Sequence, residues 1–303
     1  MESSHIVESI ALHSVQEIAR LSNCGQSNTK AFKTYSGILI NCDWSAFTFE
    51  TLKIVGSTLF STIKQFDGSK SELSVFVSLL CQVYPYLPSC LQENFYGESF
   101  SSLQSISSFG SERLPALVAV SILSEAVQHN VCADQSSLCK VIASVLSNST
   151  DATCALVLDL LFVQIHKFFD ASTVQELIKQ VLENVQIHNS EVDCTEKFLF
   201  TLCGLLPFID MCHLNDESHA IVNMKVWRMI QSGFHHDSRL CRKRSMFILK
   251  SILEAVQNGS NDLIIKPVFT WKLDCKEEIL EAWNQFFLVM ESLEEKQVGE
   301  IVQ

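Results

Sequence analysis

Apolar residues recur at helical spacing along nearly the whole sequence, and short polar breaks interrupt them about every 20 residues in the second half. Predicted helices begin near 151, 171, 191, 216 and 237. The breaks Ser149-Thr150-Asp151, Asp170-Ala171-Ser172, Asn189-Ser190-Glu191 and Asn215-Asp216-Glu217 each supply a side-chain oxygen that can accept a hydrogen bond from a first-turn amide. Upstream, the same periodicity predicts helices over 4–22, 45–65, 71–87, 112–130 and 134–147. No stretch shows strand alternation; the apolar run Val118 to Ile122 sits inside a longer helical pattern. With 10 Gly and 5 Pro in 303 residues, a turn-dense β-sandwich is excluded, and 47% hydrophobic content excludes a disordered chain.

The clearest periodicity lies near the C-terminus. Asp274 and Glu277 form a capping-box-like start. Ile279, Leu280, Trp283, Phe286, Phe287, Met290 and Leu293 then share an arc of about 140°. Glu277, Glu278 and Glu281 fall in its first turns, where carboxylates suit the helix dipole, so a solvated face is expected rather than paired catalytic acids. Two such helices make a unit of about 40 residues, the period of HEAT and armadillo arrays. A helix with one apolar face is stabilised by stacking on its neighbours. The expected fold is therefore all-α, an α-solenoid of HEAT/armadillo-like helical pairs running over 1–303 as one array.

Two segments interrupt the pattern. Residues 99–111 hold seven Ser among thirteen positions and read as a flexible insertion loop. Residues 258–273 read as a long connection in which Pro267 prevents a simple helix. The sequence ends at Gln303 directly after a predicted helix, which leads to the expectation of a longer polypeptide or a truncated product.

The N-terminus has no basic segment followed by an apolar one, so no secretory signal is read there. The greasiest run, Ala155 to Val163, is interrupted by Asp159 and is far shorter than the roughly 20 residues of a membrane span. Twelve Cys are scattered with no two within three positions, as expected of reduced thiols acting as small apolar residues. The expected location is intracellular, cytoplasmic or nuclear, without membrane contact. Asn148-Ser149-Thr150 and Asn258-Gly259-Ser260 match glycosylation sequons by chance in such a chain.

Catalytic signatures are sparse. No two Gly lie closer than twelve positions, so neither a dinucleotide-binding fingerprint nor a P-loop can be written. Ser61/Lys64 and Ser27/Lys30 match a Ser/Lys pair with no supporting motif. Cys203, Cys212, His213, His219, His235 and His236 are candidate metal ligands, but the close ligand pairs that zinc requires are absent. No catalytic, cofactor-binding or metal residue is assigned.

One charge anomaly stands out in a chain of net charge −12. Between 225 and 250 there are seven cations (Lys225, Arg228, Arg239, Arg242, Lys243, Arg244 and Lys250) and one acid, Asp237. On a helix from Asp237, the positions of Arg239, Arg242, Lys243 and Lys250 share an arc of about 100°. Leu240, Phe247, Ile248, Ile252 and Ala255 are expected on the opposite, apolar side, and Arg244 points into it as an internal hydrogen-bonding or snorkelling residue. Two readings stay open. The stripe is either an ordinary solvated helix face or a set of phosphate contacts formed by Lys225, Arg228, Arg239, Arg242, Lys243 and Lys250. Local cation clusters bind RNA even on acidic proteins.

The stretches Val226-Trp227-Arg228-Met229-Ile230-Gln231-Ser232-Gly233, Arg242-Lys243-Arg244-Ser245-Met246-Phe247-Ile248-Leu249-Lys250 and Trp283 through Gln297 resemble part of the helical N-terminal region of one family. It is the TAR-RNA-binding-protein family of tRNA guanosine-2′-O-ribose methyltransferases (SpoU/TrmH type). The resemblance covers 225–297. It implies a scaffold that helps position tRNA, with chemistry supplied by a C-terminal knot domain that binds S-adenosylmethionine. No catalytic or cofactor-binding residue of that domain can be placed in this chain. The rival expectation is a protein-interaction solenoid without RNA binding.

Overall fold

The fold follows from where the chain can start and stop helices. A computed structural model describes residues 2–26, 29–66, 70–107, 114–132, 134–187, 195–209 and 224–258, and their side chains except at 2–4, 70, 107, 186–187, 224–225 and 253–258. Every regular element among them is helical, so the all-α expectation holds there. The helices are α1 (Glu2–Asn23), α2 (Lys30–Ile40), α3 (Phe49–Lys64), α4 (Lys70–Val83), α5 (Ser89–Ser107), α6 (Ala116–Gln128) and α7 (Gln135–Asn148). They continue with α8 (Asp151–Leu156), α9 (Val163–Phe168), α10 (Ala171–Ile187), α11 (Thr195–Leu205), α12 (Met224–Phe234) and α13 (Arg239–Asn258). A π-helical stretch, Val157–Phe162, joins α8 to α9.

Local chemistry sets these boundaries. Thr29 caps α2 by accepting from the Phe32 amide at 3.3 Å. Asp134 and Asp170 cap α7 and α10, accepting from the amides of Ser137 at 3.0 Å and Thr173 at 2.8 Å. At the break before α8, Thr150 Oγ1 accepts from the Thr153 amide at 3.4 Å, one residue earlier than Asp151. Proline closes other helices: short 3-10 turns at Tyr84–Tyr86 and Leu206–Phe208 carry Pro85 and Pro207, whose missing amides end the α-type ladder. The predicted helix over 71–87 and the one predicted from near 191 end early accordingly. The breaks at 189–191 and 215–217 lie outside the described residues.

The chain divides into two compact units, Met1–Val145 with Ala155–Phe169, and Leu146–Cys154 with Asp170–Gln303. In the first, α1 packs on α2 and α3, α3 on α4 and α5, and α6 on α4 and α5. Its core holds Ile18, Leu39, Leu59, Phe76, Leu80 and Tyr84, all essentially inaccessible. Phe60 of α3 stacks on Phe95 of α5 at 4.1 Å between ring centroids. Each such side chain, fully buried, contributes about 1.5–3 kcal/mol of transfer free energy. In the second, α11 packs on α10, α12 and α13, around Val181, Phe198, Leu202, Trp227, Ile230 and Ile248.

The Ser-rich stretch corrects the expectation of a flexible loop over 99–111. It is helical through Ser107, and 108–111 lie outside the described residues. Ser101, Ser102 and Ser105 donate to the carbonyls of Gly97, Glu98 and Ser101 at 2.9 Å, so their hydroxyls are satisfied within the helix. Ser99, Ser102 and Leu103 are buried, which ties that helix to the core. The expected connection 258–273 lies outside the described residues, apart from Asn258, which ends α13.

Candidate nucleic-acid interface

The basic cluster falls on α12, α13 and the turn between them. α12 buries Val226, Trp227, Ile230, Gly233 and Phe234, and leaves Arg228 exposed on its far side. Gly233 is required by a close approach. A Cβ there would collide with Ser245 Oγ of α13 and stand 2.6 Å from Leu199 Cδ1 of α11. The turn His235-His236-Asp237-Ser238 reverses the chain, with the Ser238 amide donating to His236 Nδ1 at 3.0 Å.

α13 buries Cys241, Ser245, Ile248, Leu249 and Ile252. Their directions centre nearly opposite Arg239, Lys243 and Lys250, which share one face by register. Arg239 and Lys243 are exposed, Lys250 is half-buried, and neither Arg239 nor Lys243 forms an ion pair with another described residue. Arg242 differs: its Nη1 donates to the carbonyls of His236 at 2.6 Å and Asp237 at 2.8 Å, which anchors the turn. Lys225 is the second residue of α12, and its side chain lies outside the described residues.

Two sequence expectations need correction here. Leu240 and Phe247, expected on the buried side, are 50% and 54% exposed. The packing of α11 and α12 rotates the buried arc away from them, so they stand beside Lys243 instead. The Ala255 side chain lies outside the described residues. Conversely, Trp227 and Phe234, the other two aromatics between 225 and 250, are core residues at 3% and 2% exposure.

Arg244 is mostly buried, as its place in the apolar arc predicts. Its guanidinium carbon lies 5.0 Å from the Phe200 ring centroid and its Nη1 4.0 Å from a carboxylate oxygen of Glu196. That Nη1 has no hydrogen-bond partner. Lys197, on the same side of α11, sits over Phe200 at 5.7 Å and donates to Ser149 O at 2.7 Å.

The remaining candidates are separate from this face. Ser61 Oγ donates to Thr58 O at 3.0 Å, while Lys64 pairs with Glu98 at 2.6 Å, so the two do not form a Ser/Lys dyad. Ser27 lies outside the described residues. Cys203 donates to the Arg244 carbonyl at 3.9 Å, and Cys212, His213 and His219 lie outside the described residues. No group of three or more His, Cys, Asp or Glu that could hold a metal ion occurs among the described residues. Nor is any described helix long and apolar enough to cross a membrane.

Several titratable side chains of the first unit are shifted by burial. Burial pushes the Cys81 thiol up to about 12 and raises Tyr84, Tyr96 and Glu125. The Tyr84 hydroxyl donates to Gln92 O at 3.1 Å, and Gln92 Nε2 returns a bond to Tyr84 O at 2.8 Å. The Tyr84–Gln92 pair clamps the 3-10 turn to α5, and a thiol raised by burial is not an activated nucleophile. No protein family, curated protein or solved structure matches this chain.

Proposed function

We propose that this chain is a non-catalytic helical scaffold that holds RNA through its phosphates, with tRNA as the RNA that the resemblance implies. In this reading the helices form a solenoid of HEAT/armadillo-like pairs. Supporting it, packing in the first unit joins helices one or two apart along the chain: α1 on α2 and α3, α2 and α3 on α4, α3 on α5, and α6 on α4 and α5. The observation that carries the function is the exposed Arg239 and Lys243 on α13, with Lys250 in the same register and no ion-pair partner for the first two among the described residues. Arg228 and Lys225 of α12 add cations nearby in sequence. Such contacts position a backbone without reading bases. Arg242 acts by holding the turn that orients α13. Methyl transfer from S-adenosylmethionine belongs, in this reading, to a knot domain outside the chain.

The test is tRNA affinity measured against salt concentration. Phosphate contacts make affinity fall steeply as salt rises, and an Arg239→Ala/Lys243→Ala variant flattens that dependence. A protein-interaction scaffold is the second reading, favoured by α1, which exposes Ile6, Val7 and Ile10 at 46% or more. Absence of tRNA binding at low salt leaves only that one.

A further inference from the structure

We propose that Phe247 is a stacking platform for an unpaired RNA base, set among cations that hold the adjoining phosphates. The proposal rests on the phosphate-binding reading of α13 and narrows its ligand to single-stranded RNA. Phe247 is 54% exposed, although Ile248, Leu249 and Ile252 of the same stretch of α13 turn inward. Along the helix it follows Lys243 by one turn, about 6 Å of rise, and precedes Lys250 by about 4.5 Å. Leu240, 50% exposed, lies seven residues before it in nearly the same direction and extends the apolar strip. From Arg239 to Lys250 this face carries three cations and no carboxylate. Glu254 comes next in register and ends the cationic stretch.

A lone exposed apolar residue is ordinary. The juxtaposition is what selects the ligand. The cations favour a polyanion, and the ring offers a π-face at the spacing of one backbone step. A duplex hides its base faces, so a loop, bulge or free end must supply the base. Stacking on an aromatic ring tolerates any base and works with flanking cations, which is the usual economy of single-strand binding. A protein partner would meet the same strip, but its acidic side chains would have to match three cations on one helix face.

The experiment uses the full chain and two labelled probes, a short oligoadenylate and the same oligomer with abasic sugars at its centre. The two have identical phosphates. The wild-type chain is expected to bind the intact oligomer roughly ten-fold tighter. Phe247→Ala should erase that preference and leave the salt dependence unchanged, while Phe247→Trp keeps it. Because Phe247 is exposed, both variants are expected to retain wild-type helical circular dichroism. Equal binding of both probes by the wild type, or a preference that survives in Phe247→Ala, overturns the platform and leaves the phosphate contacts standing. Binding of neither probe at low salt overturns the phosphate reading, and the platform with it. A dimer that Phe247→Ala converts to monomer assigns the face to a second copy of the chain and also overturns the proposal.

Discussion

Arg242 binds the turn between α12 and α13 through one nitrogen, Nη1, which donates to His236 O at 2.6 Å and to Asp237 O at 2.8 Å. The arginine thereby satisfies carbonyls that the chain reversal leaves without helical partners. Arg242→Ala is expected to lower stability by about 1 kcal/mol, the partly exposed setting keeping the loss at the low end for hydrogen bonds to a charged donor. Lys243→Ala, one residue away and exposed, is expected to change stability by less than about 0.5 kcal/mol. Urea unfolding of the two variants separates an anchoring cation from a solvent-facing one.

Gly233 sets the distance between α12 and its neighbours. Adding a methyl group there drives it into Ser245 and Leu199, both on packed helices. Gly233→Ala is expected to destabilise by about 1–3 kcal/mol through overpacking, despite the better helix propensity of Ala. A chemical-denaturation midpoint equal to or above that of the wild type would contradict the close approach.

Glu8 of α1 reaches the start of α3. Its carboxylate accepts from Thr51 Oγ1 at 2.7 Å, Thr48 Oγ1 at 2.8 Å and the Thr48 amide at 3.0 Å. The Thr51 bond, followed by those of Thr48, holds the carboxyl below its ordinary range. A depressed carboxylate contributes stability that is present above its unfolded value, about 4.3, and lost as pH falls through the folded value. Glu8→Gln should therefore melt at a lower temperature than the wild type at pH near 7, and the gap should narrow as the solution is acidified below about 4. A gap that is constant with pH would remove the carboxylate from the account.

The cysteines should divide sharply in reactivity. Burial pushes Cys81 up to about 12 and Cys203 up to about 11, and it raises Cys154 even beside the Lys197 amine at 3.0 Å. Cys24 and Cys90 are exposed. Brief alkylation of the native chain at neutral pH, read by peptide mass spectrometry, should modify Cys24 and Cys90 and spare Cys81, Cys154 and Cys203.

What the sequence makes legible is tied to chain-local chemistry. The Asp170 cap and the helical reading of 151–169 follow from side chains that act within a few residues. The π-helical stretch inside that segment does not; its Leu160 carbonyl accepts from Ser124 of α6 at 3.1 Å, a contact between parts of the chain that local spacing does not encode. Likewise Glu8, with no sequence signal, serves the start of α3 from another helix. α5 is misread because a run of serines suggests solvent, whereas the hydroxyls of Ser101, Ser102 and Ser105 bond back to carbonyls one turn earlier and Leu103 anchors the helix.

At the candidate interface, periodicity places Arg239, Lys243 and Lys250 on one face. It misplaces Leu240 and Phe247, because the direction of burial on α13 is chosen by α11 and α12. An apolar residue at the border of an arc can be read on either side until its neighbours are known. Arg242 lies in register with the stripe, yet its bonds to His236 and Asp237 depend on the path of the turn, which the spacing of charges does not encode.

The most direct test of the central claim is the dissociation constant of the full chain for tRNA across a series of salt concentrations. The account predicts a linear fall of log affinity with log salt, and a slope reduced by roughly 1 to 2 in Arg239→Ala/Lys243→Ala, since two phosphate contacts are removed. A slope unchanged in that variant, or no tRNA binding at low salt, would contradict it.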